Sequence, residues 1–133
     1  MKYLCFGYLD VKAWETKSDS ERNAMIDACC AYDDELKRNG NWAGGEGLQG
    51  PETATMLRYR DGKVAVTDGP FVEAKEVLGG YWMLQAKSKQ EVVEWMKRCP
   101  AEDGDTIEIR QVFELSDFPI QVQEAASRGR DGD

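Results

Sequence analysis

The chain has 133 residues, with 25 acidic against 17 basic side chains, no histidine and a formal net charge of −8. That length supports one domain with one core, and the negative balance disfavours a nucleic-acid partner, whose affinity depends on clustered cations that neutralise its phosphates. Hydrophobic residues make up 41% and charged residues 32%, the proportions of an ordinary globular protein, and no stretch approaches membrane-spanning length.

Residues 2–9 read as a strand apolar on both sides, with Tyr3, Cys5 and Leu9 on one face and Leu4, Phe6 and Tyr8 on the other. Such a strand is central and covered twice. The run lacks a small-residue cleavage site and passes into Asp10 and Lys12, so no export signal and a cytoplasmic setting are expected. Residues 10–17 read as a loop carrying Trp14. Ser18-Asp19-Ser20-Glu21 has capping-box spacing and starts a helix. Met25, Cys29, Tyr32 and Leu36 form its buried stripe, and Asp27, Asp33, Asp34 and Lys37 fall on its solvated face. Asn39-Gly40 supplies a left-handed end.

Residues 42–48 form a short extended piece. Gly45-Glu46-Gly47-Leu48-Gln49-Gly50 satisfies a dinucleotide fingerprint in letters only. That fingerprint follows a strand and opens a helix, whereas here a helix precedes and Pro51 follows. No cofactor is expected. Residues 53–59 and 64–67 flank Asp61-Gly62, a strong hairpin signal. Asp68-Gly69-Pro70 then fixes a bend, because a residue before proline is pushed to extended geometry and Pro70 has no N–H to give. Asp68 can cap that bend and Phe71 can anchor it.

Residues 81–86 form another strand with large side chains on both faces. Ser88-Lys89-Gln90-Glu91 repeats the capping box. Val92, Trp95, Met96 and Cys99 are the stripe of a second helix, which Pro100 stops. Residues 106–115 are the last strand. A short helix over 117–126 and a frayed end complete a C-terminal arm, residues 116–133, beyond a domain of residues 1–115. Phe118, Ile120 and Val122 either dock the arm on a partner or leave it weakly held.

Two β-α-β halves, each helix opened by Ser-x-x-Glu, predict an α+β, ferredoxin-like split βαβ fold with an antiparallel sheet and both helices on one face. The other sheet face is too apolar to leave in water. A second copy is the simplest cover, at about 800 Å² per partner, so a homodimer is expected. The four cysteines, Cys5, Cys29, Cys30 and Cys99, show no Cys-x-x-Cys spacing. Without histidine no metal site is expected, and the thiols read as reduced, small hydrophobes.

The segment Asp68-Gly69-Pro70-Phe71, then Glu73-Ala74-Lys75-Glu76, a hydrophobic pair and Gly79-Gly80-Tyr81, resembles the DGPF-domain proteins, a branch of the YCII-related family. Gly44-Gly45-Glu46-Gly47-Leu48-Gln49 and Arg58-Tyr59-Arg60-Asp61-Gly62-Lys63-Val64 match as well. The resemblance runs from Lys2 to about Val112 and implies a ferredoxin-like subunit in a dimeric α+β barrel. It implies no agreed reaction. Some YCII-related proteins resemble enzymes that work through a histidine and an aspartate, and this chain departs from them on the histidine.

Candidate acid or base groups are Glu46, Asp68, Glu73 and Glu76, because loops joining barrel strands can bring such carboxylates to one cavity mouth. Two of these carboxylates in contact would form an acid/base pair or hold a hard cation. The competing assignment makes Glu73, Lys75 and Glu76 surface ion pairs worth less than about 1 kcal/mol each. Tyr8, Arg58, Phe71, Lys75 and Tyr81, with Trp82, are candidate ligand-binding residues, with Arg58 as an anion clamp. The competing assignment makes them core and hairpin surface. An enzyme of this composition would be lyase-like or would use carboxylates without histidine. The expected function is small-molecule binding by a homodimer, in a cavity near residues 68–81. The alternative, implied by the resemblance, is a regulatory module whose acidic surface meets an extracytoplasmic-function sigma factor.

Overall fold

The computed structural model describes residues 1–69 and 76–131. The elements in order are β1 (Lys2–Asp10), α1 (Val11–Glu15), α2 (Asp19–Arg38), β2 (Trp42–Gly47), β3 (Thr55–Arg60), β4 (Lys63–Asp68), β5 (Glu76–Gln85), α3 (Lys89–Met96), β6 (Thr106–Gln111) and α4 (Ile120–Asp131). Four strands form an antiparallel sheet in the order β2-β5-β1-β6, and β3 with β4 forms a separate hairpin. This is an α+β fold. The crossover from β1 to β2 through α2 skips the place taken by β5, and that from β5 to β6 through α3 skips β1, as the split β-α-β pattern requires.

Local chemistry sets the boundaries. At the start of α2, the Ser18 hydroxyl accepts the Glu21 N–H at 3.1 Å while the Glu21 carboxylate accepts the Ser18 N–H at 3.1 Å. At its end Gly40 takes φ +80°. The Gly40 N–H returns to the Lys37 carbonyl at 3.2 Å and the Asn41 N–H to the Leu36 carbonyl at 3.1 Å, a Schellman closure. The hairpin turns on Asp61 at φ 53° and Gly62 at φ 73°, the paired left-handed geometry of a type I′ turn.

The core lies between one sheet face and the helix pair. Tyr3, Cys5 and Leu84 meet Tyr32 and Leu36 of α2 and Val92 and Met96 of α3. Leu36, Leu84 and Val92 are fully buried, each worth about 1.5–3 kcal/mol of apolar transfer. The Tyr32 hydroxyl donates to the Trp95 carbonyl at 2.6 Å, which ties α2 to α3. Burial makes that phenol harder to ionise. On the opposite sheet face Leu4, Phe6, Tyr8, Tyr81 and Met83 are only half-buried.

Several details depart from the sequence reading. Residues 11–15 are a helical turn rather than loop, because the Asp10 carboxylate accepts the Lys12 and Ala13 N–H groups and nucleates α1. At α3 the box is half-closed. Ser88 accepts the Glu91 N–H, but the Glu91 side chain goes instead to the Lys87 N–H at 3.0 Å and to Asn41 at 3.2 Å. Strand β5 begins at Glu76, five residues early, with a bulge opposite Gly7 and Tyr8 that accommodates Gly79. Strand β6 ends at Gln111, and the C-terminal helix runs to Asp131 rather than Ala126. Cys30 is exposed, unlike the buried thiol expected. Among the described residues, no helix is long and apolar enough to cross a membrane.

Candidate functional site

On the helix-facing side of the sheet, three neighbouring strands place glycines side by side. Gly7 of β1 is the register partner of Gly80 of β5, and Gly80 is the partner of Gly47 of β2. The N-terminal half of α2 passes over this bare row, whereas its C-terminal half meets the packed core at Tyr32 and Leu36. With no side chains to fill the gap, a cleft of about 880 Å³ remains between α2, α1 and the sheet. Its apolar walls come from Leu9, Trp14, Met25, Ile26, Val77 and Trp82, and the thiols of Cys29 and Cys30 also line it.

Trp82 separates the cleft from the core. Its ring stands edge-on to Tyr32, with centroids 6.2 Å apart at 90°. The ring also covers Gly7, where an added Cβ would lie 3.4 Å from it. The indole N–H donates to the Asp33 carboxylate at 2.7 Å. Asp33, assigned by periodicity to the solvated face of α2, is therefore half-buried and turned to the cleft. At the rim Lys17 pairs with Glu102, and Asp105 accepts the Glu102 N–H at 3.0 Å. Arg22 lies behind Trp14, 5.6 Å from the ring centroid, with its guanidinium bonded to the Trp14 and Glu15 carbonyls at 3.1 and 3.2 Å.

The candidate residues read from sequence separate into groups. Tyr8, Glu46, Glu76 and Tyr81 share the sheet face turned away from the helices, with Glu46 directly opposite Tyr81 in register. The Tyr8 hydroxyl donates to Glu108 at 3.1 Å, a bond to a carboxylate that holds the phenol above its ordinary pKa. The Thr106 hydroxyl donates to Glu76 at 3.0 Å. Asp68 sits at the base of the hairpin, where it accepts the Thr55 hydroxyl at 2.8 Å, and Arg58 lies on the exposed hairpin opposite Ala65. Phe71, Glu73, Lys75 and the bend at Pro70 lie outside the described residues. Gly7, Asp33, Trp14 and the α2 residues of the cleft were missed. The signal for Asp33 was present in its spacing, four residues beyond Cys29 and so one turn along the edge of the apolar stripe.

The chemistry available is that of binding more than of nucleophilic attack. Burial pushes the Cys5 and Cys99 thiols up to about 12. Burial, with the Asp33 carboxylate beside it, also raises Cys29 in the cleft, which keeps it protonated and a weak nucleophile. Among the described residues no three His, Cys, Asp or Glu side chains converge as metal ligands would.

A four-stranded antiparallel sheet carrying α2 and α3 on one face, with an inserted hairpin and a glycine-floored cleft, defines a small α+β domain built around a pocket. The chain belongs to the YCII-related family, whose domain matches residues 1–116. No curated protein matches it.

Proposed function

We propose that this protein is a homodimeric small-molecule-binding member of the YCII-related family, and that the cleft between α2 and the glycine row is its binding site. The observation that carries this is the cleft itself. At about 880 Å³ it has the size of a small-molecule site, with apolar walls and a few polar groups at fixed positions. Catalysis is not part of the proposal. The homodimer rests on the half-buried Leu4, Phe6, Tyr8, Tyr81 and Met83 of the opposite sheet face, which a second copy covers in the ferredoxin-like barrel arrangement.

Gly47 gives a clean test of the site. A Cβ at this position meets no atom within 4 Å, so Gly47→Leu fills the cleft from its floor without a backbone clash. In a thermal-shift screen against phenols, aromatic carboxylates and aromatic amines, wild-type protein is expected to give hits that Gly47→Leu loses while its own melting temperature is kept. Hits unaffected by Gly47→Leu, or none at all, overturn the site. A stable monomer at micromolar concentration by sedimentation velocity overturns the dimer.

A further inference from the structure

Among the described residues, the charges lining the cleft are one-sided. Seven of its lining residues carry carboxylates, and the only cation among its described lining residues is Lys17, already paired with Glu102. Glu46 and Asp10 belong to strand positions that face the other side of the sheet, Asp10 as the register partner of Glu76. Glu15, Asp33, Glu52 and Asp105 remain, and none of them has an ion-pair partner among the described residues. The hydrogen bond that Asp33 accepts from the Trp82 indole does not neutralise it. Arg22, whose guanidinium lies behind the Trp14 wall, is turned to backbone carbonyls rather than to these carboxylates.

We infer that the ligand taken by this cleft is an organic cation, an amine or ammonium compound with an apolar or aromatic body. The inference rests on the proposed binding role of the cleft and adds the chemical class of what enters it. A low-dielectric recess lined by one sign of charge focuses its field inward and concentrates counter-charged solutes. It excludes carboxylates and phosphates for the same reason. The apolar walls take up the body of the ligand, and the indoles of Trp14 and Trp82 offer ring surface that favours a cation over a neutral group. Asp33 is the anchor, since its N–H bond from Trp82 holds one oxygen at a fixed place deep in the wall. The anion clamp expected at Arg58 has no part in this, since Arg58 stands on the hairpin.

The test uses three probes with one body and three charges: 2-(1-naphthyl)ethylammonium, the corresponding neutral alcohol, and 1-naphthylacetate. Titration calorimetry at low salt is expected to show the ammonium bound about tenfold more tightly than the alcohol and the carboxylate not bound. That preference is expected to shrink as ionic strength rises. It is also expected to fall in Asp33→Asn, which keeps an oxygen to accept the Trp82 N–H but removes the charge. Glu52→Gln, at the outer rim, makes a second variant that leaves the Trp82 bond untouched and is expected to lower the preference in the same direction. Binding of the alcohol or the carboxylate as tightly as the ammonium overturns the inference and leaves the binding site standing. Absence of binding by all three probes overturns the site and the inference together.

Discussion

Asn41 is the buried polar residue at the junction of α2, β5 and α3, and its replacement makes a sharp test of the packing described above. Only 5% of its surface is exposed. Its amide nitrogen donates to the Gln85 carbonyl at 2.9 Å and to the Glu91 carboxylate at 3.2 Å, and its oxygen accepts from the Asn39 amide at 2.7 Å. Net contributions of about 1 kcal/mol per bond do not simply add, because the Asn39 amide and the Gln85 carbonyl regain water when the side chain is removed. Asn41→Ala is therefore expected to cost about 2 kcal/mol. For a domain of this length that is a fall in melting temperature of about 6–10 °C. Asn41→Asp keeps the volume but replaces a donor by an anion facing both the Gln85 carbonyl and the Glu91 carboxylate. It is expected to be less stable than Asn41→Ala at pH 7. The introduced carboxyl has its folded pKa raised, so its penalty is full above that value and disappears as pH falls below it. Urea unfolding of both variants from pH 7 to about pH 4 measures the difference between them, which cancels other acid effects. If Asn41→Ala matches the parent, or Asn41→Asp lies at or above Asn41→Ala at pH 7, the proposed junction does not hold the three elements together.

Thiol modification by an aromatic disulfide reagent is expected to proceed in order: Cys30, which is exposed, first; the half-buried Cys29 and Cys99 more slowly; Cys5, which is fully buried, only on unfolding. Rapid labelling of Cys5 in folded protein would contradict the core assignment. The two capping carboxylates predict a mild acid sensitivity. The Ser18 N–H lowers Glu21 and the Lys87 N–H lowers Glu91, both from an ordinary value of 4.5. Because these folded values are depressed, the stabilisation is fully present above 4.5 and is lost as pH falls through the folded values. Glu21→Gln and Glu91→Gln are expected to flatten the fall of the urea midpoint on acidification, and an unchanged slope would count against the caps.

What was legible in the sequence was what short-range chemistry decides. Ser18 with Glu21, Asn39 with Gly40, and Asp61 with Gly62 each name their geometry within a few residues, and each is found where it was read. The face assignments along β1 follow from a period of two. The failures also have local causes. Helix α1 is a single turn, too short to show a hydrophobic period, and only its Asp10 cap announces it. The early start of β5 was hidden by charges at Glu76 and by the bulge at Gly79. At Ser88 the spacing was right, but Asn41, distant in sequence, drew the Glu91 side chain away. The cleft was illegible for the same reason on a larger scale. It depends on Gly7, Gly47 and Gly80 arriving in one row from three strands, and no pattern within any one strand encodes that. Aromatic residues are visible in a sequence, and missing side chains are not.

The glycine floor has a consequence for how this family member can diverge. At Gly80 a single methyl would lie 2.9 Å from the Glu46 carbonyl oxygen, so that position is locked by the pairing of β5 with β2. At Gly47 the same methyl meets nothing. In the proposed site, ligand preference is thus open to rewriting from one end of the floor, one substitution at a time, while the hydrogen-bonded ladder beneath is left intact, so position 47 is where selection or design would change the guest without rebuilding the host.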